Sequence, residues 1–164
     1  MIIRDLTAEE CRDVLGRITL GRLACARDNQ PYIVPIYFAY EPDRLFSFTT
    51  MGRKIEWMRK NPKVCVEADE VRSHFEWMSV IVTGRYQELP NKPETNADRL
   101  RALQALEKRM LWWQTAIAVK ELPTRHQTAE PLFYCIHIDS ITGLRAFPDA
   151  VESRIGLASH GRTI

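Results

Sequence analysis

The chain has 164 residues, of which 45% are hydrophobic and 27% charged, a composition typical of one globular domain with a substantial core. Its 23 Lys and Arg residues exceed its 21 Asp and Glu residues by only two, so the charge does not support a general binder of nucleic acids or membranes. No stretch approaches the roughly 18 uncharged apolar residues that a membrane span requires.

The first third of the chain predicts one helix followed by strands. Thr7 and Glu10 have the spacing of a capping box, which predicts a helix from about Ala8 to Leu15. Strand-forming residues follow in RITLGRLACARD and, after the turn DNQP, in YIVPIYFAY. Pro35 has no amide donor, so this second strand is expected at a sheet edge or at a bulge.

The middle of the chain predicts a strand, a short helix and two further strands. The turn EPD leads into the strand RLFSFTT, and the helix in IEWMRKNP must end near Asn61 because the next residue is proline. The strand KVCVEAD places Val64 and Val66 on one face. The strand FEWMSVIVTGRYQEL follows, with an interruption expected at Gly84.

The last part of the chain predicts the longest helix and a final strand. A polar connector at 90–96 precedes a helix from Ala97 to about Ile117, and PLFYCIHIDSITGLRAF predicts the sixth strand. We expect one domain over residues 1–147 and a C-terminal tail over 148–164. Consecutive strands joined by tight turns favour a mainly β fold, an antiparallel barrel with inserted α-helices.

The start of the chain and its cysteines favour a cytoplasmic protein. The opening MIIRDLTAEECRD contains acidic residues and lacks the apolar region of a secretory signal peptide. The four cysteines form no CxxC pair and are expected to be buried, reduced thiols: Cys11, Cys25, Cys65 and Cys135.

The loop TTMGRK is the first candidate site. Two hydroxyls, a glycine and two cations, Arg53 and Lys54, stand at a predicted helix start, where the helix dipole prefers negative charge. A phosphate group would supply that charge, with backbone N–H groups and the cations as ligands. The alternative is that these cations, with Arg59 and Lys60, form the solvated face of a short helix.

Other patterns yield one further candidate and no catalytic group. In WMSVIVTGR, Trp77, Ser79 and Ile81 share one strand face, so an indole and a hydroxyl could border a ligand. The four histidines have no HxxxH or HExxH spacing, so no metal site is expected. No motif for a nucleophile is present, and the catalytic residues stay unassigned.

The order of three segments resembles the flavin-binding split-barrel family. The segments are PYIVPIYFAY, LFSFTTMGRKIEWMRKNPKVCVEAD and WMSVIVTGRYQEL, and their spacing is more specific than any one of them. This family includes pyridoxamine phosphate oxidase, and the chain looks closest to its nitroimidazole-reductase-like branch. The resemblance covers roughly Thr19 to Leu89 and, more loosely, Phe133 to Leu144. It implies an antiparallel six-stranded split barrel of the FMN-binding type.

The resemblance also implies the cofactor and its ligands. Arg53 and Lys54 would grip the phosphate of FMN. The remaining cofactor-binding residues would be Phe48, Thr49 and Thr50 at the ribityl and phosphate end, the backbone of Val34, Pro35 and Ile36 beside the isoalloxazine, and Ser79 with Trp77 near the ring system. Proteins of this family are typically homodimers with two flavins at the subunit interface.

The implied function is that of an FMN-dependent oxidoreductase that transfers electrons from a nicotinamide donor to a small-molecule oxidant. The oxidase's C-terminal substrate-binding segment has no counterpart after Phe147, so pyridoxamine phosphate oxidation is not expected. Some nitroimidazole-reductase relatives carry a histidine where this chain has Ser47, Phe48 and Thr49. A deazaflavin-dependent reductase and a non-catalytic flavin-binding or sensing module are the alternatives. A nucleic-acid module built on the Arg53 to Lys60 helix is a weaker one, which the modest net charge disfavours.

Overall fold

The computed structural model describes residues 1–109 and 131–149 as mainly antiparallel β structure with three α-helices. The strands are β1 (Ile2–Asp5), β2 (Leu20–Arg27), β3 (Gln30–Tyr37), β4 (Ala39–Glu41), β5 (Arg44–Thr49), β6 (Lys63–Ser73), β7 (Glu76–Glu88) and β8 (Leu132–Phe147). The helices are α1 (Ala8–Arg17), α2 (Arg53–Lys60) and α3 (Asn96–Glu107), with a 3₁₀ turn at Pro93–Thr95. The predicted helix was to continue to Ile117, but α3 ends at Glu107 with Lys108 as its C-cap. Residues 110–117 of that prediction and residues 150–164 of the predicted tail lie outside the described residues.

The strands form one eight-stranded sheet in the order β3-β2-β6-β7-β8-β5-β4, with β1 paired to β8. All of these pairings are antiparallel. This confirms the predicted mainly β, antiparallel split-barrel class. The sequence predicted six strands, and the two that it missed are the shortest. β1 has four exposed residues and no burial alternation, and β4 continues β3 after a single residue.

The two ends of the sheet are consecutive in the chain. β3 pairs with β2 and β4 pairs with β5, and only Phe38 stands between β3 and β4. Phe38 is buried and donates its amide hydrogen to the Thr19 carbonyl oxygen at 2.9 Å. The sheet therefore curls towards a barrel that is split between β3 and β5. Pro35 lies in β3, an edge strand as predicted, where a missing amide donor is tolerated.

Two hydrophobic clusters fill this architecture. The interior of the curled sheet is closed by α1 and α2 and includes Leu15, Leu23, Leu45, Ile55, Met58, Val66, Val80 and Val82. The second cluster lies beneath α3 and includes Phe46, Leu89, Ala102, Leu106, Phe133 and Cys135. The predicted strand faces are confirmed, because Val64 and Val66 are buried together and Val80 is buried while Ser79 is not.

The interruption predicted at Gly84 is a β-bulge between β7 and β8. Thr83 pairs with Ser140 but Gly84 pairs with Ile138, so Asp139 is the extra residue and belongs to β8. A Cβ atom at Gly84 would overlap the backbone of β8, which explains why glycine stands there.

No helix within residues 1–109 and 131–149 has the length and apolar character needed to span a membrane.

Candidate functional site

The split brings two of the predicted cofactor-binding stretches to opposite sides of one gap. β4 and β5 pair with Ala39 opposite Phe46. If this antiparallel register continued past Phe38 into β3, Ile36 would lie opposite Thr49. Instead β3 turns to pair with β2, and its other edge is unpaired in the sheet. The backbone of 34–36 therefore faces the end of β5.

The side chains at the end of β5 divide between the gap and the space beneath α3. Ser47 is buried, and its hydroxyl donates to the Tyr37 carbonyl oxygen across the gap at 2.7 Å. The Phe48 ring packs in the second cluster, with its centroid 6.2 Å from that of Phe133. Thr49 is half-buried and Thr50 is exposed. The two threonines thus offer hydroxyls near the gap, whereas the Phe48 side chain serves the α3 cluster.

The start of α2 lacks the side-chain cap that α1 has. In α1 the predicted capping box is complete: Glu10 N–H donates to Thr7 Oγ1 at 3.2 Å, and Thr7 N–H donates to Glu10 Oε2 at 2.9 Å. The N-cap of α2 is Gly52, which has no side-chain acceptor. The N–H groups of Arg53 and Lys54 have no acceptor in the part of the chain that the structure describes. These donors and the positive end of the helix dipole suit an anion.

The four cations of α2 differ in their partners. Arg59 makes a two-bond ion pair with Glu88, with nitrogen–oxygen distances of 2.7 and 2.8 Å. Lys60 is exposed at the other end of the helix. Neither Arg53 nor Lys54 forms an ion pair with any carboxylate of residues 1–109 and 131–149. The two cations that the sequence assigned to phosphate are therefore the ones without a counter-ion at the helix start.

Lys54 has the most distinctive environment of these cations. Its side chain is half-buried beside Cys25 of β2, and burial lowers the pKa of its ammonium group below the usual 10.5. Cys25 is 4% exposed, and burial raises the pKa of its thiol. A partly buried ammonium group without a counter-ion is costly, and a bound anion would offset that cost.

Arg53 lies against aromatic residues that sequence reasoning did not assign to the site. Its guanidinium carbon is 5.4 Å from the centroid of the Tyr32 ring, and that ring is 5.5 Å from the Trp57 ring at an angle of 57°. Tyr32 belongs to β3 and Trp57 to α2. Both residues occur in the segments that carry the resemblance, but their contact depends on how α2 packs. Spacing along the chain gives no signal for it.

Trp77 and Ser79 lie on β7, which is three strands from β3 in the sheet order. Ser79 pairs with Leu144 of β8, whereas Thr49 pairs with Leu132. The two positions are therefore twelve residues apart along β8. The Ser79 hydroxyl donates to Glu67 Oε1 at 3.0 Å on the outer face of the sheet. Of the predicted site residues, Trp77 and Ser79 are the ones that lie on a strand that does not border the split.

Residues 1–109 and 131–149 contain no group of three or more His, Cys, Asp or Glu residues that could hold a metal ion. All four cysteines are free, as predicted; Cys65 is partly exposed and the others are buried. Burial raises the pKa of the Cys135 thiol to about 11. None of these thiols is an activated nucleophile.

The family of this chain is shown by comparison with known proteins. A family model for pyridoxamine 5'-phosphate oxidase matches residues 7–145, and the chain belongs to this family. An uncharacterized protein of Rhizobium meliloti is 44% identical over 147 residues, which is 89% of this chain and 97% of that protein. The resemblance seen in the sequence is confirmed.

Solved structures extend this comparison. A FAD-binding protein from Mesorhizobium loti has 40% identity and a TM-score of 0.73, over 90% of this chain and 99% of that one. The FAD-binding protein from Mycobacterium smegmatis has 27% identity and a TM-score of 0.64, over 89% of this chain and 100% of that one. A candidate 5-nitroimidazole antibiotic resistance protein from Bacteroides thetaiotaomicron shares the fold at 17% identity and a TM-score of 0.61, over 88% and 89%. The two FAD-binding neighbours support a flavin as the class of cofactor.

Proposed function

We propose that the chain binds a flavin nucleotide at the split, with the flavin phosphate at the start of α2. FMN has the one phosphate that this site requires. The observation that carries the proposal is Lys54, a half-buried ammonium group that has no carboxylate partner among residues 1–109 and 131–149 and lies at a helix start without a side-chain cap. Membership of the family and the flavin-binding relatives support the same class of cofactor. The phosphate would be the counter-ion that Arg53 and Lys54 do not have among the described residues.

We assign the remaining roles by position around the split. Thr49 and Thr50 place hydroxyl groups at the phosphate and ribityl end; the Thr49 hydroxyl donates to the Thr50 carbonyl oxygen at 3.2 Å in the flavin-free chain and would turn towards the ligand. The unpaired backbone edge at 34–36 borders the ring and limits its access to water. A bound flavin supplies hydride and electron transfer, so the protein needs only to hold and orient it. The proposed reaction moves electrons from a nicotinamide donor to a small oxidant.

Colour and reduction test this function against its alternatives. A yellow protein that NADH or NADPH bleaches supports the oxidoreductase. A yellow protein that neither donor bleaches supports a flavin-binding or sensing module. A colourless protein that takes up deazaflavin supports the deazaflavin-dependent reductase.

FMN is expected to bind at least about tenfold more tightly than riboflavin, because each charge-assisted hydrogen bond to phosphate contributes about 1.5–3 kcal/mol. Titration with detection of flavin fluorescence quenching measures both affinities. Replacing Lys60 with alanine provides the control, because this exposed cation at the far end of α2 should leave the ratio unchanged. Equal affinities for FMN and riboflavin would remove the phosphate role of the loop.

We further propose that a second copy of the chain completes the site. Trp77 and Ser79 of one chain, on a strand that does not border its own split, would then border the flavin held by the other. The outer face of the sheet that carries them also exposes large apolar side chains, as an interface would: Leu20, Ile33, Tyr37, Val71 and Leu144. Trp112 and Trp113 of the predicted long helix would be further cover for the flavin, and both lie outside the described residues.

A shared site predicts that FMN stabilises a homodimer against dilution. A ligand bound only by the dimer shifts the monomer–dimer equilibrium by mass action. Sedimentation velocity over a dilution series, with and without FMN, should show the dimer persisting to lower concentration with FMN. A monomer that holds FMN with undiminished affinity at every concentration would contradict the shared site.

A further inference from the structure

The stack formed by Arg53, Tyr32 and Trp57 adjoins the proposed phosphate site. The Arg53 guanidinium lies over the Tyr32 ring at 5.4 Å, and the Trp57 ring is 5.5 Å from the Tyr32 ring. Tyr32 and Trp57 are half-buried and pack against the core, whereas Arg53 is exposed. The planar guanidinium is therefore held on a supported aromatic base at the protein surface.

The position of Arg53 is not explained by an ion pair. Several other arginines of the described chain pair with carboxylates, among them Arg17, Arg22, Arg59 and Arg85. The interaction recorded for Arg53 is its contact with the Tyr32 ring. The guanidinium thus lies over an aromatic ring, while the residue as a whole is exposed to solvent.

We propose that this stack is a nucleobase platform, and that it receives the adenine of FAD when the flavin phosphate lies at the start of α2. The inference rests on the proposed phosphate site. FMN ends at that phosphate, whereas FAD continues through a second phosphate to adenosine. Arg53 stands between the two positions: it is the first residue of α2 and it covers Tyr32.

The chemistry of the platform suits a purine. Bases stack on aromatic rings and on guanidinium planes, and such stacking is tolerant of the exact base. FAD is therefore expected to bind about tenfold more tightly than FMN, which corresponds to the contribution of one stacked base. Riboflavin lacks both the phosphate and the base and should bind most weakly.

The test is the ratio of FAD to FMN affinity in the wild-type protein and in three variants. Tyr32→Ala removes the base of the stack and should bring the ratio close to one. Tyr32→Phe keeps the ring and should keep the wild-type ratio. Arg53→Lys keeps the charge for phosphate but loses the plane, so FAD affinity should fall more than FMN affinity. Because Arg53 is exposed, this variant remains informative even where Tyr32→Ala does not fold.

The possible results distinguish failure of the adenine platform from failure of the proposed phosphate site. If neither flavin binds the wild-type protein, the proposed function itself fails. A wild-type ratio near one that none of the variants changes overturns the platform and leaves the phosphate site intact. NADPH also contains adenine, so its affinity for each protein is measured with FMN present. If Tyr32→Ala weakens NADPH and leaves the FAD-to-FMN ratio unchanged, the platform serves the electron donor and its assignment to FAD is wrong.

Discussion

Replacing Lys54 with methionine is expected to weaken FMN binding by about thirtyfold and, at the same time, to stabilise the flavin-free protein. Losing a charged partner to a partly buried phosphate costs about 2 kcal/mol, which corresponds to that loss of affinity. The same substitution removes a half-buried ammonium group that has no carboxylate partner in the described chain. Its removal should raise the free energy of unfolding by about 0.5–2 kcal/mol. Opposite effects on binding and stability are characteristic of a group that serves a ligand.

Two residues of the same helix provide controls for Lys54→Met. Lys60→Met changes an exposed cation and should alter neither quantity, whereas Arg59→Met breaks the pair with Glu88 and should lower stability without affecting FMN. Calorimetric titration and thermal unfolding of the flavin-free proteins measure the two effects. A Lys54→Met protein that loses stability and keeps wild-type FMN affinity would show that the cation is structural.

The lowered pKa of Lys54 adds a pH signature to this comparison. Between the lowered pKa of the folded state and the usual 10.5, the unfolded chain binds more protons at this position than the folded chain. The contribution of Lys54 to stability therefore becomes more favourable as pH rises through that window. The stability difference between Lys54→Met and the wild-type protein should accordingly shrink towards pH 10.5.

Gly84→Ala is expected to destabilise the fold by about 2–3 kcal/mol. The added Cβ would overlap the His137 carbonyl oxygen and lie 2.8 Å from the Ile136 Cγ2 atom. The first of these is backbone in β8, so it cannot move aside as a flexible side chain would. The melting temperature should fall by roughly 4–12 °C for a chain of this size.

Gly16→Ala is the matched control for Gly84→Ala. Gly16 lies in α1, and a Cβ atom there would have no neighbour within 4 Å. Because alanine favours helix over glycine, this variant should gain about 0.5–1 kcal/mol. Urea unfolding of both proteins gives the two free energies. Equal effects of the two substitutions would mean that glycine at the bulge is not required by the approach of β8.

Features that depend on neighbours in the chain were predictable from the amino-acid sequence alone. The capping box of Thr7 and Glu10, the end of α2 before Pro62 and the placement of Pro35 in an edge strand were all predictable. Each follows from the hydrogen-bonding or dihedral limits of a single residue or a short spacing. The buried face of Val64 and Val66 follows in the same way from the two-residue period of a strand.

The candidate site was predictable in part for the same reason. Arg53 and Lys54 follow a glycine at a helix start, so their relation to a bound phosphate is a local property of the loop. The different surroundings of Lys54 and Arg53 were not predictable, because Cys25 and Tyr32 contact them from β2 and β3. The exposure of Leu100 also depends on tertiary packing. It is 50% exposed while Leu106 is buried, because only one side of α3 meets the sheet.

The way in which the strands combine depends on contacts between distant parts of the chain. The short strands β1 and β4 carry little periodic signal and exist because longer strands offer them unpaired edges. The split itself arises at Phe38, where one continuous run of strand-forming residues passes from pairing with β2 to pairing with β5. The position of Trp77 and Ser79 relative to Thr49 depends on the register of two strands against β8. Such pairings join residues far apart in the chain, and their energies come from long-range contacts that no local pattern specifies.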